Sequence, residues 1–309
     1  MTLIRHLLLC LLGALTLGQA QAQSPTKITL GHTGVADFLA AFVAQEQGFF
    51  KKQGLEVTLM QVAGGALVPG LQGDSLQVAT LPPTHMLLAV DGGLDMVAIA
   101  GGSVSEQSDT NSGLIVAPGS GIQSARDLVG KKIGVPSIGG FLHVMARKWL
   151  ASQGVDASKV SFVEVNFAQI ADLVKSGLIQ AGTSADPFLK RSVQAGHATA
   201  LTYFAAGLPA QTAGIFYGAK RAWVTTHPAA VRGFKLALAE AVAFINANPQ
   251  AARADMAKYI KLPPEVLATV PIPRLVAEVT EEQMRFWVDT MKAMALTRTP
   301  LTPAGLIVR

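Results

Sequence analysis

Between Lys27 and Tyr217 short apolar runs alternate with segments of helical spacing, and glycines close many of the helices. Strands alternating with helices of about ten residues build βαβ units and a mostly parallel sheet covered by helices. Lys27–Gly31 reads as the first strand. Asp37–Gly48 follows, with Phe38, Ala41, Phe42 and Gln45 on one helical face and Gly48 as its stop. Leu55–Gln61, Leu76–Thr80 and Leu94–Ala100 read as further strands, and Pro82-Pro83-Thr84 starts the helix His85–Val90.

After a polar connection, Ser103–Asn111, the apolar strand Ser112–Pro118 appears and the pattern restarts. Ser124–Leu128 is a short helix with Ser124 as N-cap. Strands Lys132–Pro136, Val160–Val165, Ile179–Ser184 and Ala198–Tyr203 alternate with helices Gly139–Gln153, Ala168–Ser176 and Asp186–Gln194. Gly119-Ser120-Gly121 lacks a third glycine and reads as a turn. From Pro228 the chain reads as wholly helical: Pro228–Asn246, Pro249–Ile260, Pro263–Val270 and Glu281–Ala295.

The repeat predicts two α/β lobes. Residues 23–112 with 217–309 form the first, and 113–216 form a second, inserted lobe. Strands near Ser112–Pro118 and Thr212–Tyr217 join them, giving two crossings and a hinge. Ligands of open α/β sheets bind beyond the carboxyl ends of the strands, so the cleft between lobes is the expected pocket.

Half of the 309 residues are hydrophobic and mean hydropathy is +0.38, which raises the question of a membrane protein. Only Leu7–Gly18 forms a continuous apolar stretch, and it is shorter than the ~20 residues a membrane helix needs. It follows Arg5 and precedes Ala20 and Ala22, the pattern of a secretory signal peptide over residues 1–22 with cleavage near Ala22. A periplasmic location is expected. Leu9 precedes Cys10 and Cys10 lies mid-stretch, so lipid anchoring is not expected. Cleavage leaves 287 residues at formal charge +4, without cysteine. That suits an oxidising compartment and excludes a disulfide framework or zinc–thiolate site. No cluster of Lys and Arg exceeds two residues, so nucleic acid is not an expected partner.

Catalytic signatures are missing: the chain contains no GxSxG, GxxxxGK[ST], HExxH or CxxC. The histidines beyond residue 22 (His32, His85, His143, His197, His227) stand alone, without metal-ligand spacing. No enzyme activity, cofactor or metal is expected.

Four segments carry a resemblance. Ala40–Val57 (AAFVAQEQGFFKKQGLEV) is similar to an A-x-E-x-G-[FY]-F-K-K-x-G-L-x-V signature. Gly73–Thr80, Ile122–Gly134 (IQSARDLVGKKIG) and Ala181–Phe188 (AGTSADPF) resemble further segments of the same family, in order. The family is that of periplasmic solute-binding proteins of ABC importers, of the nitrate/sulfonate/taurine type, including the thiamine-pyrimidine-precursor (NMT1/THI5-like) relatives. The resemblance implies a two-lobed type II binding-protein fold. Its function is capture of a small organic molecule (sulfonate-, taurine-, pyrimidine- or carboxylate-like) for delivery to permease subunits by a monomer. It also brings an enzyme alternative, a pyrimidine-precursor synthase, but that enzyme's iron-site motif is cysteine-rich and the mature chain has no cysteine.

Six loops supply candidate ligand contacts. His32, Thr33 and Gly34 follow the first strand; in this loop Asp37 is read as a helix cap. Gly64 and Gly65 either admit ligand against the backbone or form a plain turn. Thr80 and Pro82 lie on a rigid strand-to-helix loop, where Thr84 is either a cap or a donor. Ser137, Gly139, Gly140 and Phe141 form the strongest anion-cradle candidate, with His143 one turn on, facing cleft or solvent. Asn166 is a side-chain donor, and Asp186 either binds a ligand amine or hydroxyl or caps its helix. No Lys or Arg falls within these loops, which favours a neutral, zwitterionic or organic ligand over a highly charged anion.

Overall fold

A computed structural model describes residues 24–308. The signal-peptide reading, with Cys10, Ala20 and Ala22, lies outside the described residues. Among those described, no helix is long and apolar enough to cross a membrane.

The first sheet begins with β1 (Thr26–His32), which runs parallel to β2 (Leu55–Gln61) and β3 (Val78–Leu81). Between them lie α1 (Leu39–Glu46), α2 (Phe49–Lys52) and α3 (Leu67–Gln72). Next come α4 (Pro83–Asp91) and β4 (Met96–Gly101). Every residue of β3 and β4 is buried, as their unbroken apolar runs require of strands covered on both faces. The alternating LEVTLMQ of β2 instead lies at the sheet edge with every second residue of its first half buried.

The chain then passes through β5 (Ser103–Ser105) into β6 (Ser112–Val116) and the second sheet. That sheet adds β7 (Lys132–Val135), α5 (Phe141–Ser152), β8 (Ser161–Glu164), α6 (Phe167–Lys175), β9 (Ala181–Ala185), α7 (Phe188–Gln194) and β10 (Thr199–Tyr203). Before β7, Ser124 and Asp127 form a capping box on a 3-10 turn, as the sequence suggests. The helix stops at Gly154 and Gly177 both require left-handed backbone, with φ of 74° and 76°.

The return path is β11 (Thr212–Ala213) and β12 (Phe216–Lys220), followed by α8 (Arg221–Thr226), α9 (Pro228–Ala247), α10 (Pro249–Tyr259), α11 (Pro264–Thr269), β13 (Arg274–Leu275) and α12 (Glu281–Ala293). Strand order is β2-β1-β3-β12-β4 in the first sheet and β10-β6-β9-β7-β8 in the second. Each therefore holds one antiparallel strand, β12 or β6, and it is the strand arriving from the other sheet. The fold is thus two-lobed α/β with two crossings.

Two readings need correction. The connection after Ser103 is not simply polar loop, and the tail is not wholly helical. β5, β11 and β13 form a small antiparallel sheet that ties the two crossings together: Thr212 opposes Ser105 and Arg274 opposes Val104. Pieces of two or three residues show no period long enough to read in sequence. The indole of Trp287, fully buried on α12, donates to the Ala213 carbonyl at 2.7 Å and packs edge-on against Phe141. This ties the tail to both the crossing and α5.

Candidate functional site

A cleft open to solvent at its mouth lies beyond the carboxyl ends of β1, β3, β7 and β9. The first sheet's loops contribute Thr33, Asp37, Phe38, Gly64, Thr80, Pro82 and His85. The second sheet's loops contribute Pro136, Ser137, Gly140, Phe141, Phe167 and Ala185, and the crossings add Ser105, Asn111, Ser112, Gly214 and Ile215.

Of the residues expected at the site, Thr33, Gly64, Thr80, Pro82, Ser137, Gly140 and Phe141 line this cleft. Asn166 lines an adjoining hollow that shares Thr33, Gly64, Pro136 and Phe167 with it. There Asn166 Oδ1 accepts from the Ala168 N–H at 3.1 Å and caps α6, which leaves the side-chain Nδ2 N–H groups available.

Of the remaining six, His32, Gly34, Thr84, Gly139 and Asp186 are buried behind the wall and Gly65 is exposed outside it. His32 is buried edge-on against Phe38 and Phe42, with its Nδ1 accepting from the Gly34 N–H at 3.2 Å. A side chain on Gly65 would collide with the Glu164 carboxylate, 2.5 Å from where its Cβ would sit. Thr84 is buried inside α4, one residue past its proline start, with its hydroxyl unpartnered. Gly139 takes φ of 80° and donates its N–H to His143 Nδ1 at 2.9 Å. His143 thus turns inward, edge-on to Phe162, and faces neither cleft nor solvent. Asp186 is buried and accepts from the Lys190 N–H at 3.1 Å, so its capping reading describes the bond it makes.

Asp37 requires a correction. It caps no helix. A 3-10 turn spans Ala36–Phe38 with Val35 at its N-cap, and the carboxylate of Asp37 lines the cleft. Burial raises its carboxyl above the ordinary range, against the Ser103 hydroxyl beside it, and the charge of Asp109 adds to the rise. Burial likewise pushes Asp186 up to about 7, opposed by the Lys190 N–H and charge and aided by Asp37. Burial also brings His32, His85 and His143 down to about 4, so all three are neutral at physiological pH. No described residue lining the cleft is Lys or Arg.

His85 is the second residue that sequence reading missed. It sits one turn into α4 and reaches across the cleft, where its Nε2 lies 2.6 Å from Ser137 Oγ. The Gly64 backbone meets Pro136 and Ser137 so closely that a Cβ there would lie 3.0 Å from that of Ser137. Two loops from opposite sheets therefore touch at this point. A histidine three residues after Pro82, at a strand end, was the available signal. Asn111 and Gly214 offered none, because they matter through the crossings that the small sheet draws together.

The comparisons with known proteins agree with this architecture. The sequence model described as NMT1/THI5 like matches residues 35–252. The alkanesulfonate-binding protein SsuA of Xanthomonas axonopodis, bound to MOPS, superposes with a TM-score of 0.79 at 18% identity, covering 93% of this chain and 99% of that one. The periplasmic nitrate-binding protein NrtA of Synechocystis gives 0.76 at 16%, covering 91% and 84%. At these identities the likeness establishes the fold. A Brucella abortus protein provisionally named as a binding protein is 25% identical over 276 residues, 84% of this chain and 83% of the relative. A Haemophilus influenzae protein provisionally assigned to thiamine biosynthesis is 32% identical over 133 residues; the match spans 43% of this chain and 41% of that relative's length. The chain belongs to the NMT1/THI5-like family.

Proposed function

We propose that this NMT1/THI5-like protein is the extracytoplasmic substrate-binding protein of an ABC importer. It closes two lobes on a small organic molecule and presents it to permease subunits. Residues 23–112 with 217–309 act as one lobe and 113–216 as the other. The observation that carries this reading is the cleft itself: loops of both sheets line it, and both crossings are paired side by side at one end. Paired crossings permit a hinge rotation that opens and shuts the cleft without unpairing either main sheet.

The chemistry of the wall favours capture over turnover. Ser137 and His85 lie within hydrogen-bond reach, but His85 Nδ1 has no hydrogen-bond partner to orient the ring as a general base needs. A cysteine-rich iron site cannot form beyond Cys10, since no other cysteine exists in the chain. Phe38, Phe141 and Phe167 offer ring faces and edges to an organic ligand.

Small-angle scattering on the purified chain, with ligands found by thermal shift, tests the reading. A ligand that raises Tm should shrink the radius of gyration and leave unchanged by mass spectrometry. Conversion to product, or tight binding with no compaction, refutes it.

A further inference from the structure

Asp37 is the one acidic residue among the described residues lining the cleft, and no cation lines it. The charge of Asp109 acts on Asp37, and the charge of Asp37 acts on Asp186 and on Tyr217. Asp109 is already engaged, accepting from the Glu106 N–H at 2.7 Å. The cation acting on this group is Lys190 beside Asp186, and its ammonium is tied to the Thr269 carbonyl at 2.6 Å. An anionic ligand would find no cation in this lining to pair with, and a bound cation would favour the ionised form of Asp37 that burial alone opposes.

His85 provides an independent observation. It is only 8% exposed, lines the same cleft, and leaves Nδ1 without a partner. His85 Nε2 and Ser137 Oγ share a hydrogen bond of 2.6 Å, whose direction follows the histidine tautomer. Nδ1 is a polar atom left for a ligand group to pair with, as acceptor or as N–H donor according to the tautomer. Two separate groups in one cleft thus stand open to a polar ligand. The apolar rings of Phe38, Phe141 and Phe167 complete the wall.

We propose that the ligand presents a protonated amine or amidine to Asp37 and a second polar group to His85 Nδ1, on a flat apolar body. This rests on the receptor reading above and names its substrate class. It separates the protein from receptors for anions such as nitrate or sulfonate.

The test is calorimetric titration of the purified full chain at pH 7.5 with four probes on one ring: benzylamine, benzamidine, benzoate and benzenesulfonate. A cationic probe should bind at least ten-fold tighter than either anion. Asp37→Asn should weaken the cation at least ten-fold, and Asp37→Glu should retain most of its binding, because charge-assisted hydrogen bonds are the strong ones. Should Asp37→Asn fail to fold, the wild-type ranking decides. Tighter binding of an anion, no binding of either cation at millimolar concentration, or cation binding unchanged in a folded Asp37→Asn overturns the inference. Scattering keeps the two readings apart. Compaction on an anion overturns the cation assignment and leaves the receptor intact. A cation bound without compaction does the reverse.

Discussion

The two sheets share one strand order, written 2-1-3-return-4, yet they are built to different depths. The outer face of the first sheet is covered by α1, α9 and α10, and its core includes Phe42, Phe50, Phe234 and Tyr217. Phe50 stacks on Phe234 at 5.3 Å, and Tyr217 meets the same ring edge-on at 5.3 Å. One face of the second sheet is covered only by the short α6 and α7, over a core of Ile115, Ile170, Val174, Ile179, Leu189 and Ala198 with no aromatic ring. Both ionisable groups of the cleft, Asp37 and His85, come from the first side; the second brings hydroxyl, glycine and rings. The comparison describes a deep platform carrying the charge and a thinner flap closing over it.

The largest expected effect tests the platform. Phe234→Ala should cost about 3–5 kcal/mol in urea unfolding, because the rings of Phe50 and Tyr217 lose their common partner. A loss below about 1 kcal/mol would dissolve the contrast.

The second effect is acid lability. His32, His85 and His143 are held near 4 in the folded state, against an ordinary 6.5, so the fold resists their protonation. Stability from this source is present above pH 6.5 and is lost as pH falls from 6.5 towards 4. Asp186, raised to about 7, acts oppositely and gains stability over the same fall. Asp37, also raised, acts with Asp186, but three groups outweigh two, so a net loss on the order of 3 kcal/mol is expected between pH 6.5 and 4. Tm measured across that range should drop, less steeply in His85→Gln. A flat profile would mean these rings are not held neutral.

The smallest effects test the flap. Asn166→Ala should remove the cap of α6 for about 1 kcal/mol. Ile170→Val, in the ringless core, should cost about 0.5–1.5 kcal/mol. Hydrogen exchange of β8 and β10 amides should outpace that of β3 and β4. Equal protection in all four strands would erase the difference in depth.

Much of this was legible in the chain. The buried runs of β3 and β4, the stops at Gly154 and Gly177, and the Ser124 cap are local signals, and each appears where its pattern lies. The loops after the strands were legible as well, because strand ends are where open sheets expose backbone. Asp37 was not. A carboxylate before a helix reads as a cap, and only the tertiary fold shows a 3-10 turn aiming it into the cleft. His85 and Ser137 stand 52 positions apart and meet through the approach of two sheets.

Periodicity, stop residues and family segments, all written within a dozen or so neighbouring residues, determined the α/β repeat, its interruption and the family. Which polar groups share the cleft, and the sign of the charge it offers, depended on distances between residues remote in sequence. Burial then set the protonation of His32, His85, His143 and Asp186, and burial belongs to the packed molecule and not to any stretch of chain.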